Sequence, residues 1–228
     1  MRFQDAARDA RAVVYAGIQA DPLVARVATL LADATTAERW LARAVMNGER
    51  TDADFWRRMF PTIFGASALA ETRDNAEKLL AGCLEVANRG EQARSSYRGA
   101  VVEDLTARLL ARRSAPVRRE RRVLFDGVPA EIHPYDVTVE TDARPEAYDC
   151  KWGARGINAD VLNQLDDARA HAAEEEIDLR AVIVVFDARR SCDLRLARST
   201  ARHDDTGLVA LEALEALEAF DSLSRGAR

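Results

Sequence analysis

Residues 181–186 of the sequence read AVIVVF, a run without a single polar side chain and rich in β-branched residues. A short apolar run of this kind is typical of a strand that is buried on both faces. The stretches 117–125 and 130–140 instead alternate apolar with other residues at period two, which indicates half-buried strands. The sequence therefore predicts a sheet in which 181–186 is a central or parallel strand.

The spacing of apolar residues changes near residue 95. Before it, apolar residues recur at helical spacing throughout, with a capping box at Thr35 and Glu38. After it, the predicted order is helix, three strands, helix, strand and a closing helix, with a hairpin turn at Asp126-Gly127 and a helix N-cap at Asn158. We predict an α/β (α+β) protein with a helical region over 1–92 and an αβββαβ core with a central mixed sheet over 93–228.

The ALEALEALE repeat near the carboxyl end has two interpretations. It predicts a helix that covers the sheet or, as the alternative, a dimerisation helix. The second interpretation predicts a homodimer. Separately, the helical region over 1–92 is a candidate for binding a protein partner or nucleic acid.

Composition excludes several classes of protein. The sequence has a formal net charge of −5, no apolar run of the roughly 18 residues that a membrane span needs, and no secretory signal at its start. Its three cysteines form no CxxC, and its three histidines have no companion at ligand spacing, which argues against disulfides and structural zinc. We expect a cytoplasmic protein without a membrane partner, in which any metal has oxygen ligands, as Mg²⁺ or Mn²⁺ does.

The stretch YDCKWG, 148–153, places a carboxylate and an ammonium two residues apart. If it is a strand, Asp149 and Lys151 share one face, and they form either a surface salt bridge on an edge strand or part of a metal site. Asp136 lies thirteen residues before Asp149, a spacing that a short hairpin brings together. Glu103 is on the preceding helix and is predicted to face inward, with Asp104 as the alternative.

Together these residues resemble the PD-(D/E)xK superfamily of nucleases, the restriction-endonuclease-like fold. The motif here is Asp136 followed by Asp149-Cys150-Lys151, in the family's order of elements, and the resemblance covers roughly 95–190. Glu103 and Gln164-Leu165 stand where RecB-like members carry a helix glutamate and a glutamine followed by leucine.

The resemblance implies a metal-dependent nuclease. Asp136 and Asp149 would bind Mg²⁺ or Mn²⁺, joined by the backbone carbonyl of Cys150 and by Glu103. Lys151 would orient or deprotonate the attacking water and stabilise charge on the phosphoryl group. Gln164, unless it is only a helix-surface residue, would position the water or a backbone phosphate.

An arginine-rich segment, 111–122, carries six arginines against one glutamate. It is either a phosphate-facing patch or a solvated helix end and turn. In the first interpretation Arg118, Arg119 and Arg121 contact nucleic acid, together with Arg155 and Asn158 after the motif.

The function expected from these observations is hydrolysis of DNA phosphodiesters, with RNA the second choice, in restriction, phage defence, recombination or repair. The alternatives are a catalytically silent nucleic-acid-binding module with the same fold, and a scaffold or regulatory subunit.

Overall fold

The computed structural model describes residues 1–6, 10–48, 50–66, 68–113, 115–129, 133–142, 144–201 and 206–219. The chain forms two compact units: a sheet unit, Met1–Arg8 with Thr106–Arg228, and a helical unit, Asp9–Leu105. The division falls within a helix, whereas the predicted division at 92/93 lies near that helix's start. Within the described residues no helix is both long enough and apolar enough to cross a bilayer.

The helical unit consists of α-helices joined by short connections. The helices are α1 Ala10–Gln19, α2 Pro22–Ala32, α3 Thr36–Asn47, α4 Ala53–Met59, α5 Pro61–Phe64, α6 Ala70–Ala87 and the first part of α7 Glu91–Ala111. The predicted capping box is present, since Thr35 accepts a hydrogen bond from the Glu38 amide and the Glu38 carboxylate accepts one from the Thr35 amide.

The sheet unit contains the remaining elements around a mixed sheet. They are β1 Arg2–Asp5, β2 Val117–Phe125, β3 Val128–Pro129, β4 Tyr135–Val139, β5 Glu146–Lys151, α8 Ala159–Glu174, β6 Arg180–Val185, α9 Arg189–Leu196 and β7 Gly207–Ala210. The strand order is β1-β2-β4-β5-β6-β7, with β3 paired to β2; β1 to β5 are antiparallel, and β5, β6 and β7 are parallel. Apolar side chains of α8, among them Leu162, Leu165 and Ala168, pack on the sheet.

The predicted mixed α/β architecture is confirmed. Asp126 and Gly127 both have positive φ, 48° and 80°, as a type I′ turn requires, and they join β2 to the short β3. Asn158 caps α8, since its side chain accepts a hydrogen bond from the Val161 amide at 3.0 Å.

Two expectations about the chain ends were wrong. Arg2–Asp5 is a strand that pairs with β2, not part of a helical region. Gly207–Ala210 is strand β7, and Leu211–Leu217 forms 3₁₀ turns with a kink at Ala213 instead of an α-helix. Leu211, Leu214 and Leu217 of this segment are buried. Residues 130–132, at the start of the second predicted strand, and 220–228, at the end of the predicted closing helix, lie outside the described residues.

A buried ion cluster lies at the start of β5. The side chain of Glu146 is 1% exposed and that of Arg113 is 2% exposed, and their Oε2 and Nη2 atoms are 2.6 Å apart. Tyr148 Oη donates to the same carboxylate at 2.5 Å, and Arg180 Nη1 lies 3.9 Å from its other oxygen. Burial raises the pKa of Tyr148, and the neighbouring Glu146 charge raises it further. The cluster therefore fixes the start of an inner strand by opposite charges.

We predict that Glu146→Gln destabilises the sheet unit by about 3 kcal/mol, because it leaves the Arg113 charge buried without its anion. Urea unfolding measures the loss. Asp178→Asn is the matched control: Asp178 is 71% exposed and pairs with Arg144 at 3.2 Å, so the change should stay below about 1 kcal/mol. Equal losses in the two variants would contradict the buried cluster.

In the helical unit, Asp21 caps α2 by accepting from the Leu23 amide at 2.9 Å, and it also accepts from the Tyr97 hydroxyl. The Tyr97 hydrogen bond, followed by the Leu23 one, lowers the pKa of Asp21 below its ordinary value of 3.8. A carboxylate whose pKa is depressed on folding stabilises the folded state above that ordinary value, and the contribution is lost as pH falls through the folded pKa.

We therefore predict that Asp21→Asn destabilises the helical unit at neutral pH by about 1 kcal/mol. The difference from the unsubstituted protein should shrink as pH falls below 3.8, the ordinary pKa of the group. Urea unfolding across this pH range measures it. A difference that stays constant or grows on acidification would show that the Asp21 charge does not stabilise the fold.

Candidate active site

Asp136 and Asp149 meet where strands β4 and β5 part. The two strands pair up to Val137 and Tyr148, and the next position along each is an aspartate. There the ladder ends, and Asp136 Oδ2 accepts a hydrogen bond from the Cys150 amide at 2.6 Å. The structure therefore brings the two predicted carboxylates together, with Asp136 bonded to the residue that follows Asp149.

Lys151 forms an ion pair with Asp149 on the same strand, as the spacing of two predicted. Asp149 is buried, with 7% of its surface exposed, and β5 lies between β4 and β6. The alternative of a surface salt bridge on an edge strand is therefore wrong. Burial by itself would lower the pKa of Lys151, but the negative charges of Asp149 and Asp136 outweigh it and raise that pKa above its ordinary value. The two carboxylates therefore favour the ammonium form of the lysine.

The position of Lys151 is set by its neighbours. Its backbone carbonyl accepts from the Phe186 amide at 2.8 Å, which extends the pairing with β6. Gly156, in the 3₁₀ turn Ala154–Gly156, lies against its aliphatic stem, so that a Cβ at 156 would be 2.8 to 2.9 Å from Lys151 Cδ, Cβ and Cγ. Sequence reasoning missed this contact; a glycine five residues after the motif lysine was the available signal.

Gln164 is buried, which excludes the helix-surface interpretation. Its side-chain amide donates to the His133 carbonyl at 3.1 Å, and its own backbone carbonyl accepts from Tyr135 Oη at 3.4 Å. Both contacts tie α8 to the segment that enters β4. Gln164 is therefore placed to position the strand that carries Asp136.

Glu103 and Asp104 are both buried and belong to the helical unit. Tyr15 Oη donates to Glu103 Oε1 at 2.5 Å, and Gln19 Nε2 donates to Oε2 at 2.8 Å. Both oxygens of the Glu103 carboxylate are thus engaged by α1. Its role as a metal ligand stays a prediction.

The predicted nucleic-acid contacts differ in their surroundings. Arg121 is bonded to Glu140 at 2.7 Å and paired with Asp5, so its charge is neutralised within the sheet. Arg118 and Arg155 are exposed, and Arg119 is half-buried. Asn158 is exposed, with its side chain engaged in the helix cap.

Glu120 has a strained backbone beside the site. Its φ is 52°, although it lies inside β2. The pairs Arg119–Val137 and Arg121–Tyr135 on either side place it across from Asp136. Left-handed backbone in a non-glycine residue costs about 1–3 kcal/mol and is concentrated at functional sites. Glutamate is not a typical turn residue, so this backbone conformation could not be predicted from the residue type.

The donor set can be tested against the implied metal. In the described part of the chain no three His, Cys, Asp or Glu side chains are grouped to hold a metal ion. Mg²⁺, however, is often bound through one or two carboxylates, with water and substrate phosphate completing its shell. Asp136 and Asp149 provide two carboxylates, so the pair suits Mg²⁺ or Mn²⁺ and does not suit a metal that needs four protein ligands.

Comparison with known proteins gives little that bears on function. No family model matches the chain, and no curated protein matches it. The crystal structure of protein VC1899 from Vibrio cholerae is similar over 95% of this chain, with 16% identity and a TM-score of 0.47. This chain spans 56% of that protein's length.

We predict that Gly156→Ala destabilises the sheet unit by about 1–3 kcal/mol, because the added methyl group overlaps the Lys151 stem. The loss should shrink in a Lys151→Ala background, which removes two of the three close atoms. Urea unfolding of the four proteins of this cycle measures the coupling. Gly90→Ala, at a position with no atom within 4 Å of the added group, is the control. If the losses in unfolding free energy from the two substitutions simply add, Gly156 does not fix the position of Lys151.

Proposed function

We propose that this protein is a metal-dependent nuclease of the PD-(D/E)xK type that hydrolyses DNA phosphodiesters. The observation that supports it most is the meeting of Asp136 and Asp149 at the diverging ends of two inner strands, with Lys151 ion-paired beside them. A carboxylate that is removed from water must be compensated by hydrogen bonds, an opposite charge or a bound cation. Restriction, phage defence, recombination or repair in the cytoplasm remains the predicted setting.

The two aspartates would hold Mg²⁺ or Mn²⁺. When bound, the ion would supply Lewis acidity towards a phosphoryl oxygen and towards the attacking water. The Cys150 amide fixes one oxygen of Asp136 and so orients the carboxylate before any ligand arrives. Preorganisation of this kind avoids rearrangement during the reaction.

Lys151 would act on the substrate through its ammonium group. Its Nζ has three donors, and the contact to Asp149 uses one of them. The others can donate to a non-bridging phosphoryl oxygen, where negative charge grows in the transition state. The group would also orient or deprotonate the attacking water.

A catalytically silent module that binds nucleic acid is the second candidate. It is favoured by the ion pair itself, because Asp149 and Lys151 already compensate each other without a metal. In that case Asp149 and Lys151 would be structural. Nucleic-acid binding would then depend neither on a metal ion nor on the acidic side chain of Asp149.

Plasmid cleavage separates the two candidates. We expect supercoiled DNA to be nicked or linearised with Mg²⁺ or Mn²⁺ and left intact with EDTA. Asp149→Asn and Lys151→Gln should each reduce the rate at least 100-fold, about the contribution of one preorganised charged group. Lys78→Gln is the matched control, because Lys78 is 61% exposed and pairs only with Asp74 among the described residues.

The nuclease proposal is wrong if folded protein leaves plasmid, single-stranded DNA and RNA intact under every metal condition. Cleavage that survives both site substitutions would place the reaction elsewhere on the protein. Cleavage of RNA alone would retain the chemistry and change the substrate.

A further inference from the structure

A cleft of about 200 Å³ opens in the sheet unit beside the first turn of α8. Its polar lining comes from the start of α8 and from the end of α9 with the residues after it: Asn158, Arg195, Arg198, Ser199 and Thr200. These are guanidinium, hydroxyl and amide groups, and no carboxylate lines the cleft in the described part of the chain. A concave surface with two arginines and two hydroxyls is suited to a phosphate group.

The two arginines of the cleft differ from other arginines of the sheet unit in having no acidic partner among the described residues. Arg195 Nε donates to the Ile157 carbonyl at 2.8 Å, which fixes the side chain at the cleft wall. Neither its Nη atoms nor the guanidinium of Arg198 contacts a carboxylate among the residues that the structure describes. Arg113, Arg121 and Arg189, in contrast, are each bonded to an acidic side chain. The cleft therefore presents positive charge that is not neutralised within the described structure.

The cleft is joined to the candidate active site by one short segment. Gly156 contacts the Lys151 stem, Ile157 accepts the Arg195 bond, and Asn158 lines the cleft. Two residues span at most about 7 Å, so the cleft begins within that distance of the Lys151 contact. The Asn158 side chain is used as the cap of α8, so the arginines, not the helix end, supply the binding groups.

We propose that this cleft binds a backbone phosphate of the DNA strand, next to the phosphodiester held at Asp136, Asp149 and Lys151. The inference rests on the proposed nuclease function and adds Arg195 and Arg198 as binding residues that sequence reasoning did not single out. Contacts to backbone phosphate fix the register of the strand without reading its sequence. The cleft would hold the strand in place while the neighbouring bond lies at the acidic pair.

Salt-dependent binding tests this subsite. The parent is the Lys151→Gln protein, in which cleavage should be at least about 100-fold slower. The probes are fluorescein-labelled duplex DNA, single-stranded DNA and single-stranded RNA, followed by anisotropy. Arg195→Gln/Arg198→Gln in this background should weaken binding about tenfold and reduce the slope of log affinity against log salt by about 1–2. The loss should be the same for unrelated sequences. Arg190→Gln, an exposed arginine of α9 outside the cleft, should change both quantities less.

Arg198→Gln alone guards against a folding artefact, because its guanidinium makes no hydrogen bond or ion pair with the described residues. This variant should reduce the slope by about 1. If the double variant binds like Arg190→Gln, the proposed phosphate subsite is wrong. The nuclease proposal is unaffected by that result, because the plasmid assay tests it separately. A parent that binds none of the three probes at low salt also overturns the subsite. Binding of RNA alone, with the same loss in the double variant, supports the subsite and assigns it to an RNA strand.

Discussion

Strand β5 carries ionised side chains inside the sheet, and the rest of the sheet unit is arranged so that each has an opposite charge beside it. Glu146 at its start is held by Arg113, with Arg180 nearby, and Asp149 near its end is paired with Lys151. Charges removed from water are tolerated only when they are paired and hydrogen-bonded. The partners come from the turn after α7, from β6 and from β5 itself, so these elements must assemble together for the strand to be buried.

The two ends of the strand differ in what their charges allow. The Glu146 cluster is almost fully enclosed, with both principal side chains at most 2% exposed. At the other end 27% of the Lys151 side chain is exposed, and the β4–β5 ladder has already ended. The enclosed cluster can only stabilise the fold, whereas the open pair can meet a ligand. The position of the candidate active site thus follows from where the strands part.

Much of the core could be predicted because its signals are local. The apolar run of β6, the turn at Asp126-Gly127 and the cap at Asn158 each depend on a few neighbouring residues, and all were found. Strands β1 and β7 were missed because each is four residues long and becomes a strand only by pairing with a partner distant in sequence. For the site, spacing predicted the aspartates and the lysine. It could not predict the bond between the Asp136 side chain and the Cys150 amide, the left-handed Glu120 or the support from Gly156, which depend on the three-dimensional course of the backbone.

The ion-paired lysine has a consequence for chemistry performed on the protein. Of the 33 lysines and arginines in the sequence only two, Lys78 and Lys151, are lysines. Arginine stays charged at all ordinary pH values, while lysine is the primary amine that acylating and alkylating reagents modify. Lys78 is mostly exposed and reacts as a reference, whereas Lys151 is shielded by Asp149. Reductive methylation, which modifies amines and leaves the free thiols of Cys83, Cys150 and Cys192 unmodified, would place an isotope-labelled methyl tag on one lysine at the surface and one in the acidic pair, besides the α-amino group.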